Sequence, residues 1–197
     1  GNGMTTPTRS FITIVSGLPR SGTSLAMQML HAGGIPALTD EQRTPDADNP
    51  RGYYEFERVK QIKSDQLWLN DAVGKAVKVI HMLITALPTD REYRVLMMRR
   101  DVNEVVRSQA AMLARSGKPG GGLSPDKLAQ VYEGQMSAVG RWLAACPRFR
   151  VLDVHYADLV KDPRAMSERV SAFLGGDLSI DAMARAVDPT LYRQRAD

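Results

Sequence analysis

The chain has 197 residues, 43% of them hydrophobic and 24% charged, with a formal net charge of +4 and one cysteine, Cys146. That length and composition suit one globular domain with a sizeable core. They exclude an intrachain disulfide framework and a cysteine-rich zinc site, and the modest, scattered basic excess suits an anionic ligand rather than nucleic acid.

Residues 1–10 lack the apolar core of a signal peptide and read as a disordered N-terminal segment or a cloning remnant, with residues 11–197 forming a single domain. No run approaches the roughly 18 apolar residues of a membrane span, so the expected location is cytoplasmic. Phe11 to Ser16 (FITIVS) is a β-branched run ending at a glycine and predicts a strand. Gly17 to Ser24 is a glycine-bearing loop, and Leu25 to Ala32 continues as a helix stopped by Gly33, Gly34 and Pro36. Thr39 to Gly52 is polar and reads as an exposed loop. Glu55 to Leu69 has the spacing of an amphipathic helix.

Ala76 to Ile80 and Tyr93 to Arg99 predict two further strands. Val102 to Arg115 predicts a helix capped by Asp101. Lys118 to Leu123 (KPGGGL) reads as a linker, with a mobile lid as the alternative. Pro125 to Ala145 is a long helix with Cys146 after it in a small, buried, apolar role. Phe149 to Val154 is a fourth strand, and Pro163 to Leu174 a helix closed by Gly175 and Gly176. Strands alternating with helices predict an α/β fold in three layers: a central, mostly parallel sheet with helices on both faces. Ligands in such sheets bind beyond the carboxyl ends of the strands.

The glycines of Gly17-Leu18-Pro19-Arg20-Ser21-Gly22-Thr23-Ser24 have the spacing of a nucleotide phosphate loop, G-x-x-x-x-G-K-[ST]. Gly17 permits a sharp turn after the strand, and Gly22 lets backbone amides approach an anion. The helix that follows aims its unpaired N–H groups and its dipole at the same point. Thr23 stands where the nucleotide-hydrolysing enzymes carry lysine, and the cation is instead Arg20, inside the loop. A triphosphate clamp is thereby lost. A single phosphate-like chain without an obligatory metal fits better.

With these features the sequence resembles the family of sulfotransferases that use 3′-phosphoadenosine-5′-phosphosulfate (PAPS), and the compact bacterial members more than the animal cytosolic ones. Gly17 to Ser24 looks like the family's loop for the 5′-phosphosulfate. Arg100 at a strand end, with Ser108 eight residues later, matches the family's pair for the 3′-phosphate. Tyr156 to Pro163, followed by Phe173-Leu174-Gly175, resembles its structural stretch near the last strand. The resemblance implies a P-loop-type fold, PAPS as donor, 3′,5′-ADP as the bound product, an acceptor that stays unidentified, and cofactor contacts at Gly17, Arg20, Ser21, Gly22, Thr23, Ser24, Arg100 and Ser108. Physically, Arg100 faces the same rim as the loop and can grip phosphate through its planar fork. A surface ion pair with Asp101 or Glu104 is its other reading, and Arg99 and Arg107 are rival ligands. The family's usual proline after the arginine-aspartate pair is Val102 here. Its late lysine-glycine segment has no counterpart, and Arg193 and Arg195 are the candidates to take its place.

Transfer needs a base for the acceptor proton and cations for the charge that develops on the leaving nucleotide. Arg20 suits the second role. His81, after the strand Ala76 to Ile80, is the candidate base, because imidazole titrates near neutrality and the family carries a Lys-x-His stretch in a similar place. A partly buried structural histidine is its competing reading. Lys78 can assist at the sulfonate oxygens. Glu55 is the alternative base, or else caps a helix. His31 and His155 lack metal-ligand company, no H-E-x-x-H pattern occurs, and no metal is expected. Two rival functions remain: a P-loop kinase or NTPase acting on a small molecule, and a nucleotide-binding protein without turnover.

Overall fold

Aliphatic and β-branched runs that are apolar on both faces can be satisfied only between two helical layers, and the fold obeys this. The computed structural model describes residues 9–40, 54–117 and 122–187. Within them four strands form one parallel sheet in the order β2-β1-β3-β4. The strands are β1 (Ile12–Ser16), β2 (Ala76–Lys78), β3 (Tyr93–Arg99) and β4 (Phe149–His155). Every residue of β1 is buried.

Alternation along β3 sorts its side chains between two cores. Leu96 and Met98 join one core with Val15 of β1 and Val154 of β4. That core is closed by helices α1 (Thr23–Gly33), α5 (Tyr156–Lys161), α6 (Pro163–Phe173) and α7 (Ile180–Ala186). Tyr93, Val95 and Met97 face the opposite core with Ile12 and Ile14. It is covered by α4 (Pro125–Ala144), the short α2 (Leu69–Ala72) and two 3-10 helices, Glu57–Gln61 and His81–Ala86. Cys146 packs half-buried at the edge of this second core. A smaller cluster joins Leu18 of the phosphate loop to α3 (Val102–Arg115) and α4 through Val105, Val106 and Tyr132. The three-layer α/β arrangement is therefore the one expected.

The predicted helix over 55–69 is wrong. Only the 3-10 helix Glu57–Gln61 and the four residues of α2 form. Asp65 is the reason. Its carboxylate accepts the Leu67 N–H at 3.2 Å and its carbonyl accepts the Trp68 indole N–H at 3.1 Å, which offers the backbone an alternative to continuing a helix. The strand expected to reach Ile80 ends at Lys78, although the Val79 N–H still bonds the Val15 carbonyl at 2.9 Å. Helices α5 and α7 and the 3-10 helix His81–Ala86 were not foreseen. Asp101 caps α3, accepting from Asn103 and Glu104. Most of Thr39 to Gly52, and residues 118–121 of the expected linker, lie outside the described residues. No helix among the described residues is long and apolar enough to cross a membrane.

Candidate active site

The chain leaves β1 for β2 on one side of the sheet and later returns to β3 on the other. A crevice opens at the carboxyl end of β1, where these directions part, and the loop Gly17 to Ser24 lies there. Gly17 has φ 150° and Gly22 φ 102°. A Cβ on Gly17 would sit 2.6 Å from Ser21 Oγ and 3.0 Å from the Met98 carbonyl oxygen, and one on Gly22 would sit 2.7 Å from Tyr156 Cδ2. No other residue fits either position. Gly22 precedes α1 without a side-chain cap, so the first-turn N–H groups remain available to an anion.

Arg20 is also left-handed, at φ 63°. Such a backbone costs about 1–3 kcal/mol in a residue with a Cβ and persists only where its surroundings enforce it. Two bonds do so here. The Arg20 Nε donates to Ser108 Oγ at 2.9 Å, and Arg100 Nη1 donates to the Arg20 carbonyl at 2.7 Å. The Arg100 guanidinium lies 4.5 Å above the Tyr156 ring, pairs with Glu104 at 3.2 Å, and its side chain is only 4% exposed. Loop, strand end and helix thus meet at one point. The ion pair with Glu104 and the place at the cavity hold together for Arg100. Arg99 instead pairs with Asp153, and Arg107 is exposed.

A cavity of about 250 Å³ opens in front of the loop, lined by Arg20, Thr23, Ser24 and Arg100 at one end. Lys78, the last residue of β2, brings an ammonium to this rim. Its Nζ donates to Ser24 Oγ at 3.1 Å and lies 3.2 Å from Glu55 Oε1. The cation missing at Thr23 is therefore supplied from the neighbouring strand. Glu55 is fixed by its backbone, whose carbonyl accepts from the Asp40 N–H and the Thr39 hydroxyl, each at 2.9 Å.

Two expected residues are placed otherwise. Ser21 is buried, and its hydroxyl donates to the Leu18 carbonyl at 2.6 Å, so it braces the loop from within. His81 does not line the cavity. It is 2% exposed, its Nε2 is 2.7 Å from Gln135 Oε1, and its ring meets Tyr132 edge-on. It begins a 3-10 helix that packs on α4, three residues beyond Lys78 and so out of phase with it in a strand period of two. His31 and His155 are exposed. Arg193 and Arg195 lie outside the described residues. Tyr156, which supports both Gly22 and Arg100, was missed as a site residue. It directly follows β4 at the carboxyl rim, and that position was the available signal. Burial pushes the Tyr93 hydroxyl well above its ordinary pKa and lowers that of Arg94. Both residues begin β3, at the end of the strand away from the loop.

The parallel sheet and the glycine loop at its carboxyl rim define an α/β protein of the P-loop type. The sulfotransferase family model matches residues 52–179, well over half of the sequence, and the chain belongs to that family. The phosphate loop lies before the matched segment, so its assignment stands on its own geometry. No curated protein matches the sequence. Solved structures share the fold at low identity. The sulfotransferase domain from the curacin biosynthetic pathway superposes with a TM-score of 0.53 at 17% identity, covering 93% of this chain and 90% of that one. The sulfotransferase domain of the Synechococcus PCC 7002 olefin synthase gives 0.53 at 15%, covering 95% and 87%. Retinol dehydratase in complex with androsterone and the inactive cofactor PAP gives 0.51 at 16%, covering 92% and 64%.

Proposed function

We propose that the sulfuryl donor is PAPS and that Glu55, not His81, is the base that receives the acceptor's proton. The observation that carries this reading is the junction of Arg20, Arg100 and Ser108 at the mouth of the loop. The residues fit such a group: two glycines whose missing Cβ atoms leave the cradle open, two guanidinium groups and one ammonium. Loop residues 17–24 would hold the 5′-phosphosulfate. Arg100 and Ser108 would hold the 3′-phosphate, the one through its guanidinium and the other through its hydroxyl. When bound, the donor supplies a sulfur whose bond to the phosphate oxygen breaks with its electron pair left on that oxygen.

The chain's own groups do the rest. Glu55 Oε1 takes the proton of the acceptor, and Lys78 holds that carboxylate in place from 3.2 Å. Arg20 and the first-turn N–H groups of α1 stabilise the charge left on the nucleotide. The apolar rim around Leu18 and Pro19 limits water at the reacting atoms. Thermal unfolding tests the donor assignment. At a hundred times its dissociation constant, 3′,5′-ADP stabilises the fold by about 2.7 kcal/mol. An equal or larger shift with ATP and magnesium would reverse the reading in favour of a kinase.

A further inference from the structure

Opposite the anion cradle, the cavity wall is hydrocarbon. Phe56 and Val59 come from the start of the first 3-10 helix, and Val79, Ile80 and Leu83 from the end of β2 and the second. Val59 and Val79 are 4% and 1% exposed. Phe56 and Leu83 pack against the second core, so this wall is rigidly backed. Ile80 stands at the mouth, 45% exposed. Lys60 also borders the cavity, but its side chain is 64% exposed and its ammonium pairs with Glu57 at 3.0 Å. Among the described residues, a ligand seated here meets polar groups at the Glu55–Lys78 pair, at the boundary with the cradle.

We propose that the acceptor is a small hydroxyl compound with an uncharged, largely hydrocarbon body, lying on Phe56, Val59, Ile80 and Leu83 with its hydroxyl at Glu55. The proposal rests on the donor assignment given above. A sugar would carry several further hydroxyls onto this wall, and each one desolvated without a partner weakens binding on the order of tenfold. Each methylene laid on the wall strengthens it roughly fourfold. The cavity, about 250 Å³, lies below the roughly 300–1,000 Å³ of common ligand sites and also receives the reacting end of the donor, so the body is short. In the transfer the acceptor oxygen bonds to sulfur as the sulfur–oxygen bond to the nucleotide phosphate breaks. The electron pair of that bond stays on the phosphate, and the hydroxyl proton passes to the Glu55 carboxylate.

The test measures transfer of radiolabelled sulfate from PAPS to 1-butanol, 1-hexanol and glucose, alongside the melting shift given by 3′,5′-ADP. Hexanol should exceed butanol in kcat/KM by about fifteenfold, from two methylenes, and exceed glucose by on the order of a hundredfold or more. Glucose matching hexanol, or no transfer to either alcohol while 3′,5′-ADP still raises the melting temperature, overturns the acceptor proposal alone. Absence of any melting shift with 3′,5′-ADP overturns the donor assignment, and the acceptor proposal with it. Ile80→Asp, at an exposed position that tolerates charge, should raise KM for hexanol about tenfold or more with the 3′,5′-ADP shift unchanged. An unaltered KM would also overturn the proposal.

Discussion

The two ends of the cavity are built by opposite means. The cradle end depends on unusual backbone, with Gly17, Arg20 and Gly22 all at positive φ, and on side chains already tied to one another before any ligand arrives. The far end uses ordinary aliphatic and aromatic side chains on and just before two short 3-10 helices, with no polar network among the described residues. An anion is recognised by donors at fixed angles, so its site must be assembled in advance. An apolar body is recognised by area and shape, which many side chains can supply. Substitutions at the cradle should therefore be severe and specific, and those on the wall graded.

The largest effect separates the base from the histidine. Glu55→Gln should lower kcat by on the order of a hundredfold or more while 3′,5′-ADP still binds, as read by steady-state kinetics and calorimetry. Next, Arg100→Met should weaken 3′,5′-ADP roughly 10- to 100-fold, as expected for lost charge-assisted bonds. A change under threefold would mean that the guanidinium serves only to hold Arg20. Gly22→Ala should then cost about 1–3 kcal/mol in denaturant unfolding, because the new Cβ meets the Tyr156 ring. Smallest of all, His81→Gln keeps a donor for Gln135 and should leave kcat within about threefold, against the hundredfold loss expected of a base. A hundredfold loss there would return the role to His81.

Much of the frame is readable from the residues because strands buried on both faces announce themselves as unbroken aliphatic runs, as Phe11 to Ser16 and Tyr93 to Arg99 do. The cradle is readable for a different reason. Its geometry can be met only by glycine at two positions, and that requirement leaves a mark in the sequence. What escaped notice depends on side chains overriding periodicity. The spacing of 55–69 is helical, yet the Asp65 carboxylate captures the Leu67 N–H that would extend the helix, and the Trp68 indole takes the Asp65 carbonyl. His81 has the right chemistry and sits one residue too far along. The chain has left the sheet by then and turns it onto Gln135. Lys78, three residues earlier, is still in the strand and reaches the rim. Tyr156 opens the stretch that resembles the family's structural segment, but its part at the site emerges only when Gly22 and Arg100 are seen on either side of it.

The bonds that brace Arg20 join residues 80 and 88 positions apart in the chain. Segments so distant meet only after β3 and α3 have docked on β1, since closing long loops is entropically costly and slows folding. The cradle is thus a late product of folding, and it comes apart when the sheet does. A nucleotide held there should act as a clasp on the entire molecule, retarding global unfolding and protecting amides in β1 and β3 alike from hydrogen exchange.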